Sequence, residues 1–487
     1  MMGTPWRRGF GALLAAAVAG SVAVAMATTA SAAPGNINPD APRSLTIHKF
    51  AQPATTGAVN TNGQSITVPG DWTPLPGVVF SVRPVTHVGG VAVDLTTPGG
   101  WDLIAGLTPA AAAGAGVTLG SNVGGPTNGS GVLSVSNPGL ALYLVQETAP
   151  GPNNIANAVE DFLVSVPMPG ATTGTWNYDV HAYPKNALTA ASKTVDQTGA
   201  YGLGDVITWT VTGEVPRIAS NRDLTKFNII DNLPAQVSLD PAAGNVTVTA
   251  NNGVTFVAGD YTVNSSANLV TVTFNAPGLT KLKAASNQAT KTTVSVAIKT
   301  VVNSIGTGTI VNGDGTITGT GSARVEVNNS TIPVTASVAW GAARILKHVQ
   351  GDTSKVLTGG EFQVFTSAAD AAAKTNPVGV VQGSPAVDTI TFVTGPDGTV
   401  LIEGLKVGDY WLVETKAPAG YIGIDAPVTF TVAAGSVTTP VQINVPNVQH
   451  SPFALPNTGS VGMVAMLAAG LALVSTALVV ARRRRVA

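Results

Sequence analysis

Three residues in the last third of the chain could together do chemistry: Lys347, Glu414 and Asn447. Each lies in a short run in which polar and apolar residues alternate, and strand side chains point to the two faces with a period of two. The polar residue of each run therefore shares a face with apolar neighbours. The pattern predicts an amine, a carboxyl and a carboxamide within one hydrophobic core.

Burial changes the acid–base properties of such groups. Desolvation can lower a lysine pKa and raise a carboxyl pKa by up to about 3 to 5 units, so the amine becomes a neutral nucleophile beside a protonated acid. Lys347 could then attack the Asn447 carboxamide while Glu414 polarises the carbonyl and moves protons, which releases ammonia and leaves an amide. The alternative is a buried ion pair between Lys347 and Glu414 without a bond.

The composition argues against several other kinds of site. The chain has no cysteine, so it has no disulfide and no thiol nucleophile. A net charge of -1 with 10% charged residues gives no reason to expect nucleic-acid binding. No catalytic triad or phosphate-binding motif stands out, and we expect neither an enzyme nor a cofactor. The 5 histidines lack ligand spacing, and we expect no metal site among His48, His87, His181, His348 and His450.

Strands must position the reactive residues, because the sequence is dominated by Val, Thr, Gly, Ala and Pro in short alternating runs. Residues 292–298 and 428–432 are two such runs, and turn residues separate them from their neighbours. Between the two ends, sustained helical periodicity is confined to residues 368–374. At roughly 100 to 200 residues per domain, the sequence predicts an all-β fold of three Ig-like β-sandwich modules in series.

An internal repeat helps to divide the chain. Motifs near one end recur in the same order near the other, at residues 45–49, 75–80 and 143–150 and again at 345–348, 357–362 and 410–421. The predicted division is an N-terminal module over residues 33–186, a middle module over 187–340 and a C-terminal module over 341–450.

Both ends have targeting features. Two arginines, an apolar run and a small-residue site predict a secretory signal peptide over residues 1–32, cleaved after Ala32. Residues 461–480 are apolar and uncharged, long enough for a helix to cross a hydrocarbon core of about 30 Å. Arginines at 482–485 then mark the cytoplasmic side. The sequence therefore predicts an exported protein with a C-terminal transmembrane helix.

The segment 451–487 contains Leu455-Pro456-Asn457-Thr458-Gly459 immediately before the apolar span. This motif, the span and the basic tail together resemble the cell-wall sorting signal that sortases read. In that family a transpeptidase cysteine cuts between the residues matching Thr458 and Gly459 and transfers the Thr458 carbonyl to an amine. The resemblance implies attachment to peptidoglycan; the alternative is a plain membrane-anchored protein.

A second motif, from Trp176 to Lys185, resembles the WxxxVxVYPK pilin motif of major pilins polymerised by class C sortases, with Ala182 in place of the second valine. In that family the motif lysine attacks the acyl group of the next subunit, which implies an isopeptide bond between Lys185 and Thr458. Pro184 fixes its own φ and disfavours helix for the preceding residue. We therefore expect Lys185 at an extended module edge that an enzyme can reach; the alternative is a solvated linker lysine.

The segment around Glu414 resembles the E-box of pilin and adhesin modules of the collagen-binding B-type fold, whose lysine and asparagine cross-link. The resemblance implies a Lys347–Asn447 bond with Glu414 as acid/base. It also implies two further triads, Lys193, Asp231 and Asn312 in the middle module and Lys49, Glu147 and Asn186 in the N-terminal module. Asn328 and Asn329 compete with Asn312, and N-terminal modules of this kind do not all form the bond.

The resemblance covers nearly the whole chain and implies the structural shaft subunit of a covalently polymerised, wall-anchored pilus that supports adhesion, a substrate of sortase. The implied partners are other copies of the chain, class C and housekeeping sortases, peptidoglycan, minor or tip pilins, and a host or bacterial surface receptor. One alternative is a wall-anchored adhesin or minor pilin that does not polymerise, and the motif lysine argues against it. The other is a wall-bound hydrolase, for which no segment remains to house a catalytic domain.

Overall fold

The computed structural model describes residues 36–54, 62–266, 268–450 and 461–483. The chain divides into two compact units. The first comprises the described residues up to Gly341 together with Ala434–Val437, and the second comprises Ala342–Ala433 and the described residues from Thr438 onward. Both units are built mainly of strands, which confirms the predicted all-β class.

The part of the first unit before residue 190 contains thirteen strands and two short helices. Their bounds are β1 Ser44–His48, β2 Phe50–Ala51, β3 Val79–Val88, β4 Val91–Ala92, α1 Pro98–Ile104, α2 Pro109–Ala112, β5 Val117–Leu119, β6 Val132–Ser136, β7 Ala141–Ala149, β8 Ile155–Asn157, β9 Phe162–Val166, β10 Met168–Pro169, β11 Trp176–Asn177, β12 Asp179–Ala182 and β13 Lys185–Leu188.

Two β layers enclose the core of this part. One layer holds the sheets β12–β1–β6 and β2–β13–β8, and the other holds β4–β3–β7–β9 with β5 paired to β3. Leu45 and Ile47 of β1 pack with Tyr143 and Val145 of β7. The first strands β1 and β2 pair in parallel with β12 and β13. The beginning and the end of this part are therefore side by side.

Strand β7 is buried on both of its faces. Leu142 and Leu144, which alternate with the core residues of β7, pack with Ile104 of α1 and Ala112 of α2. The helices thus cover the side of the sheet that faces away from the sandwich core.

The remaining part of the first unit extends the strand numbering. The bounds are β14 Ala191–Asp196, β15 Val206–Glu214, β16 Phe227–Asn232, β17 Val237–Leu239, β18 Val246–Ala250, β19 Tyr261–Ser266, β20 Leu269–Phe274, α3 Ala276–Ala284, β21 Thr293–Val302, β22 Thr309–Asn312, β23 Ala323–Val327, β24 Ser330–Pro333 and β25 Ala336–Val349. One sheet has the order β14–β15–β21–β17 with β18 also on β21, and the other has the order β19–β20–β16–β23–β24. Strand β22 pairs with the first residues of β25.

The second unit holds the later residues of β25 and the strands that follow. The bounds are β26 Asp352–Val356, β27 Glu361–Phe365, α4 Ala368–Ala373, β28 Val380–Gln382, β29 Val387–Thr389, β30 Phe392–Val393, β31 Thr399–Lys406, β32 Gly408–Lys416, β33 Tyr421–Ile422, β34 Val428–Val432 and β35 Val441–Gln449. Strand β25 pairs here with β26, β31 and β35, and a second sheet has the order β30–β27–β32–β34. The pairing of β25 with β35 is parallel.

Between the two ends the sequence shows sustained helical periodicity only at residues 368–374, and the structure contains further helices there. Helix α4 is present, but α1, α2 and α3 are helices as well. The side chains of Thr97 and Thr108 cap α1 and α2, and each cap precedes a proline at the start of the helix. A capping threonine followed by proline is a known helix start, so a local signal existed although the helices are too short for a periodicity.

The apolar helix near the C-terminus is confirmed. Helix α5 spans Val461–Arg483, and its stretch Val464–Arg482 is long and apolar enough to cross a membrane. The side chains from Val464 to Arg482 are exposed. The signal peptide and its cleavage site after Ala32 lie outside the described residues.

Replacing a leucine on the helix-covered face of β7 should destabilise the fold. Leu144 is 1% exposed, so Leu144→Ala should lower the free energy of unfolding by about 2 to 5 kcal/mol, because a cavity remains where the side chain packed. Denaturant unfolding followed by tryptophan fluorescence measures the change. Val91, at 55% exposure, is the control, and Val91→Ala should stay within about 0.5 kcal/mol of the unmodified chain. Equal effects of the two changes would contradict the burial of this face.

Candidate functional site

The pairing of parallel strands brings a lysine and an asparagine together twice. In the second unit Lys347 of β25 pairs with Val445 of β35, and Asn447 lies two residues further along on the same face. Before residue 190 the arrangement is equivalent, because Phe50 pairs with Lys185 and Ala51 with Asn186. Residues offset by two on neighbouring strands are within reach of long side chains. In both places the lysine therefore reaches the asparagine side chain diagonally.

The first cluster consists of Lys49, Glu147 and Asn186. The Lys49 Nζ donates a hydrogen bond to the Asn186 Oδ1 and lies 2.9 Å from the Glu147 Oε2. The Asn186 Nδ2 donates to both Glu147 oxygens, at 2.8 and 2.9 Å. The backbone N–H of Val159 also donates to the Asn186 Oδ1, at 2.7 Å. The carboxylate thus bridges the amine and the carboxamide.

The cluster of the second unit repeats this arrangement with Lys347, Glu414 and Asn447. The Lys347 Nζ donates to the Asn447 Oδ1 and lies 2.9 Å from the Glu414 Oε1. The Asn447 Nδ2 donates to the same Glu414 oxygen at 3.0 Å. The other oxygen, Oε2, accepts a hydrogen bond from the backbone N–H of Ile424 at 2.9 Å. All three side chains are buried.

The third cluster, of Lys193, Asp231 and Asn312, has a different hydrogen-bond pattern. The Lys193 Nζ lies 2.7 Å from the Asp231 Oδ2, and the Asn312 Nδ2 donates to the same oxygen at 3.3 Å. The Asp231 Oδ1 and the Asn312 Oδ1 are both buried and have no hydrogen-bond partner among the described residues. While the carboxyl is ionised, both of these oxygens can only accept hydrogen bonds, so neither can donate to the other. A proton on the Asp231 Oδ1 would turn one of them into a donor, so the environment favours the neutral acid.

An aromatic ring lies beside each buried lysine. The Nζ atoms of Lys49, Lys193 and Lys347 lie 5.5, 5.5 and 5.6 Å from the ring centroids of Phe80, Trp209 and Phe362, in that order. Sequence reasoning did not assign these rings to the clusters. A signal was present, because Phe80 and Phe362 end equivalent motifs of the internal repeat.

Burial dominates the acid–base properties of the lysines. It lowers the pKa of Lys49 to about 8, against the attraction of Glu147. It likewise lowers the pKa of Lys193 to about 8, against the attraction of Asp231. Desolvation also lowers the pKa of Lys347 and raises the pKa of Asp231. Folding therefore shifts each of these lysines toward the neutral amine, and it shifts Asp231 toward the protonated carboxyl.

Each cluster has the groups that an amide-forming reaction needs. In the Lys49 and Lys347 clusters the amine donates to the carboxamide oxygen, and in the Lys193 cluster the amine and the carboxamide both contact the Asp231 Oδ2. In all three the acid touches both partners and can pass a proton between them. Attack of the lysine nitrogen on the asparagine carbon, followed by loss of the asparagine nitrogen as ammonia, would leave an amide and regenerate the acid. This step requires a neutral amine in each of the three clusters.

Asn328, which competes with Asn312 in the sequence, has another role. The Asn328 Oδ1 accepts hydrogen bonds from the backbone N–H groups of Thr225 and Lys226, and its Nδ2 donates to the Asn157 Oδ1 and the Asp223 carbonyl. All of its hydrogen-bonding capacity is thus used in holding the loop before β16 against β8. No contact joins it to Lys193 among the described residues, whereas Asn312 reaches the acid of that cluster.

Lys185 lies on the opposite face of β13 from Asn186. Its side chain is half-buried, and the Nζ lies 3.8 Å from the centroid of the Trp72 ring and 3.4 Å from the Tyr183 carbonyl oxygen to which it donates. Burial lowers the pKa of Lys185 to about 8. The predicted extended backbone is present, but the amine is partly covered rather than freely solvated.

The structure gives no contacts or distances for the predicted sorting motif. Leu455, Pro456, Asn457, Thr458 and Gly459 lie outside the described residues. In the described part of the chain no group of three or more His, Cys, Asp and Glu side chains could hold a metal ion.

Three family profiles match the chain. Residues 41–187 match the D1 N-terminal domain of Gram-positive pilin subunits, and residues 343–446 match a prealbumin-like fold domain. Residues 447–487 match the LPXTG cell-wall anchor motif.

Relatives match over almost their whole length. Fimbrial subunit type 2 of Actinomyces naeslundii is 32% identical, covering 95% of this chain and 94% of the relative. Fimbrial subunit type 1 of Actinomyces viscosus is 29% identical, covering 99% of this chain and 98% of the relative. The solved structure of the full-length major pilin SpaD from Corynebacterium diphtheriae is similar with a TM-score of 0.66 and 26% identity, covering 86% of this chain and 99% of that one.

The stability of a chain that cannot form internal bonds should depend on pH through the buried lysines. The test protein has Asn186→Ala, Asn312→Ala and Asn447→Ala together. Since folding lowers the pKa of Lys193 from 10.5 to about 8, the unfolded chain binds more protons between these values, so stability rises with pH across that window. Below about 8 the full penalty for burying the charge is present.

Denaturant midpoints measured over a pH series check this expectation. Adding Lys193→Met should remove part of the rise in the denaturant midpoint with pH, because methionine fills similar space without an amine. Adding Lys355→Met, at a solvent-exposed lysine, is the matched control and should leave the rise unchanged. A midpoint that stays flat above pH 8, or an equal effect of both methionines, would contradict the lowered pKa.

Proposed function

This chain belongs to the sortase-assembled fimbrial subunits of Gram-positive bacteria, and from that premise we propose that it is the shaft subunit whose copies are joined between Lys185 and Thr458. Membership of the family makes the chain a structural subunit of a pilus, not an enzyme. Its anchor motif and apolar C-terminal helix give its location, the pilus at the surface of the cell wall.

The position of Lys185 is the observation that supports the linkage most directly. The amine lies on the outward face of β13, and among the described residues no carboxylate forms an ion pair with it. Burial lowers its pKa to about 8, which raises the fraction of neutral, nucleophilic amine near neutral pH. A lysine with these properties is suited to attack an enzyme-bound acyl group.

The proposed linkage reaction has two steps, thioester formation and aminolysis. The sortase cysteine attacks the Thr458 carbonyl carbon, forms a thioester and releases the Gly459 amine. The Lys185 nitrogen of another copy then attacks the thioester carbon, forms an amide and releases the cysteine thiolate. A class C sortase would polymerise the shaft in this way, and a housekeeping sortase would transfer the final Thr458 acyl group to peptidoglycan.

We further propose that the chain consists of three modules, each with one internal lysine–asparagine bond. Residues 33–186 would hold the Lys49–Asn186 bond with Glu147 as acid/base, and residues 187–340 the Lys193–Asn312 bond with Asp231. Residues 341–450 would hold the Lys347–Asn447 bond with Glu414. The bridging carboxyl in each cluster, the burial of its side chain and the lowered lysine pKa values support all three.

The bonds would stabilise the shaft against unfolding and against tension. The Lys347–Asn447 bond would join residues 100 apart, for which the loop-entropy treatment of cross-links gives about 4 to 5 kcal/mol. Lys185 and Asn186 are consecutive on β13, so tension that enters at Lys185 would pass through the neighbouring Asn186–Lys49 bond to the start of β2. Covalent bonds, and not only hydrogen bonds between strands, would then resist extension.

The remaining partners of the proposed shaft follow from the family. Minor or tip pilins would join the same polymer, and a host or bacterial surface receptor would be bound by the assembled pilus. A wall-anchored adhesin or minor pilin would not need the linkage lysine.

Replacing Lys185 tests polymerisation. Cell-wall extracts of cells that express the unmodified chain should give a ladder of high-mass bands on a denaturing gel, and Lys185→Ala should reduce it to the monomer. Lys416→Ala, which removes an exposed lysine at the end of β32, is the matched control and should leave the ladder intact. If the ladder is absent from the unmodified chain while the protein is still wall-anchored, the adhesin or minor-pilin alternative replaces this proposal.

Intact-mass measurement tests the internal bonds, because each bond removes one ammonia. The mature unmodified chain should be lighter than its sequence by three ammonia masses, and Asn447→Ala should remove one of these losses. Glu414→Gln keeps the shape of the acid but cannot transfer its proton, so bond formation in that module should slow by roughly 10²- to 10⁴-fold. Asn444→Ala, on the exposed face of the same strand, is the control and should keep all three losses. A mass equal to the sequence would rule out the bonds.

A further inference from the structure

The outward face of β2 and β13 forms an aromatic cluster around Lys185. Phe50, Trp72 and Tyr183 pack together there, and the rings of Phe50 and Trp72 lie 5.3 Å apart in an edge-on arrangement. The Lys185 Nζ lies against the face of the Trp72 ring, 3.8 Å from its centroid. The linkage amine therefore lies on an aromatic surface and not in bulk water.

The segment that contains Trp72 is fastened across this face. Residues 62–75, here called the strap, are joined to the strands beneath by hydrogen bonds and a β-bridge. The His181 N–H donates to the Gly63 carbonyl at 2.8 Å, the Ile66 N–H to the Tyr183 Oη at 3.1 Å and the Ala51 N–H to the Thr73 carbonyl at 2.8 Å. Pro74 forms a bridge with Phe50. These contacts fix the position of the Trp72 ring relative to β13.

The chemistry of the amine follows from what surrounds it. The Trp72 ring face and the Tyr183 carbonyl contact the amine, and in the described ranges it has no carboxylate partner. An aromatic face favours the charged amine through the ring quadrupole, whereas loss of water favours the neutral amine. The pKa of Lys185 is lowered, and desolvation by burial is the cause.

We propose that Trp72 is a positioning residue for the intersubunit linkage: its ring holds the Lys185 side chain on the outward face of β13 and keeps water from the amine that attacks the acyl group. The inference rests on the proposed linkage through Lys185. It assigns to the strap, which lies more than a hundred residues before the lysine in sequence, the task of making this amine more nucleophilic than the exposed lysines of the same chain.

The first experiment measures the titration of Lys185 without using sortase. The full chain is displayed on cells that lack the pilus-polymerising sortase, and an amine-acylating reagent is applied over a pH series. Peptide mass spectrometry then gives the labelled fraction of Lys185, with exposed Lys416 as the internal reference for the reagent. The midpoint for the unmodified chain should be about 8.

Three substitutions of Trp72 separate positioning from folding. Trp72→Ala and Trp72→Gln both admit water, so the Lys185 midpoint should rise by one unit or more toward 10.5. Trp72→Phe keeps an apolar ring face and should stay close to the unmodified chain. Trp101→Ala, which removes another tryptophan before residue 190 without touching Lys185, is the matched control. Trp72→Gln provides the result if the alanine variant fails to accumulate as folded protein.

The second experiment measures polymerisation in cells that have the sortase, with the medium buffered at neutral or alkaline pH. Relative to the unmodified chain at the same pH, Trp72→Ala should reduce polymer yield by roughly tenfold at neutral pH, since one unit of pKa changes the neutral fraction tenfold. The difference should narrow at alkaline pH, where both amines are neutral. A purely structural defect would not be restored by pH.

The outcomes distinguish this inference from the proposed function. Trp72 has no positioning role if the Lys185 midpoint and the ladder are unchanged in Trp72→Ala and Trp72→Gln. The same conclusion follows if the ladder is lost at every pH while the midpoint is unchanged. In either case, loss of the ladder in Lys185→Ala still supports the linkage. If the Lys185→Ala ladder persists, the linkage proposal itself fails, and this inference fails with it.

Discussion

The cost of burying a lysine amine in a β-sandwich core is the constraint on which the rest of the structure depends. Lys49, Lys193 and Lys347 are all buried, and a charge in such a place needs a partner that is also buried. The carboxyl group that meets this need also touches an asparagine in each cluster. The groups that make the buried amine tolerable are thus the groups that could make it react.

Parallel pairing of the first and last strands is the structural device that assembles two of these clusters. Lysine and asparagine are separated by 137 residues in one case and 100 in the other, yet neighbouring strands bring them into contact. The middle cluster uses strands β14, β16 and β22 instead, and its hydrogen bonding is less complete, with two buried oxygens lacking donors. Different strand arrangements can therefore place one acid in contact with both an amine and a carboxamide.

Alternation along a single strand separates the two kinds of chemistry proposed for this chain. Asn186 points into the core and Lys185 points away from it, so one residue step changes a buried internal partner into an outward amine. The outward amine is nevertheless not an ordinary surface lysine, because the aromatic cluster removes much of its water. Lys185 and Asn186 lie on one strand because they are consecutive in sequence. The environment of the Lys185 amine comes from the strap, through Trp72.

The sequence by itself determined the features that depend on local order: the all-β class from alternating runs and the apolar C-terminal helix from its length. Polar positions within apolar runs predicted the cluster of Lys347, Glu414 and Asn447, and the family resemblance implied the other two clusters. The sequence missed α1 to α3, which are too short to show a period, and it left Asn312 and Asn328 as competitors. Only the tertiary structure shows that Asn328 binds the loop before β16 and that Trp72 contacts Lys185. Both results depend on contacts between segments that are far apart in the chain. Periodicity records which face a side chain occupies, but the neighbour that this face meets is decided by the way the strands pack.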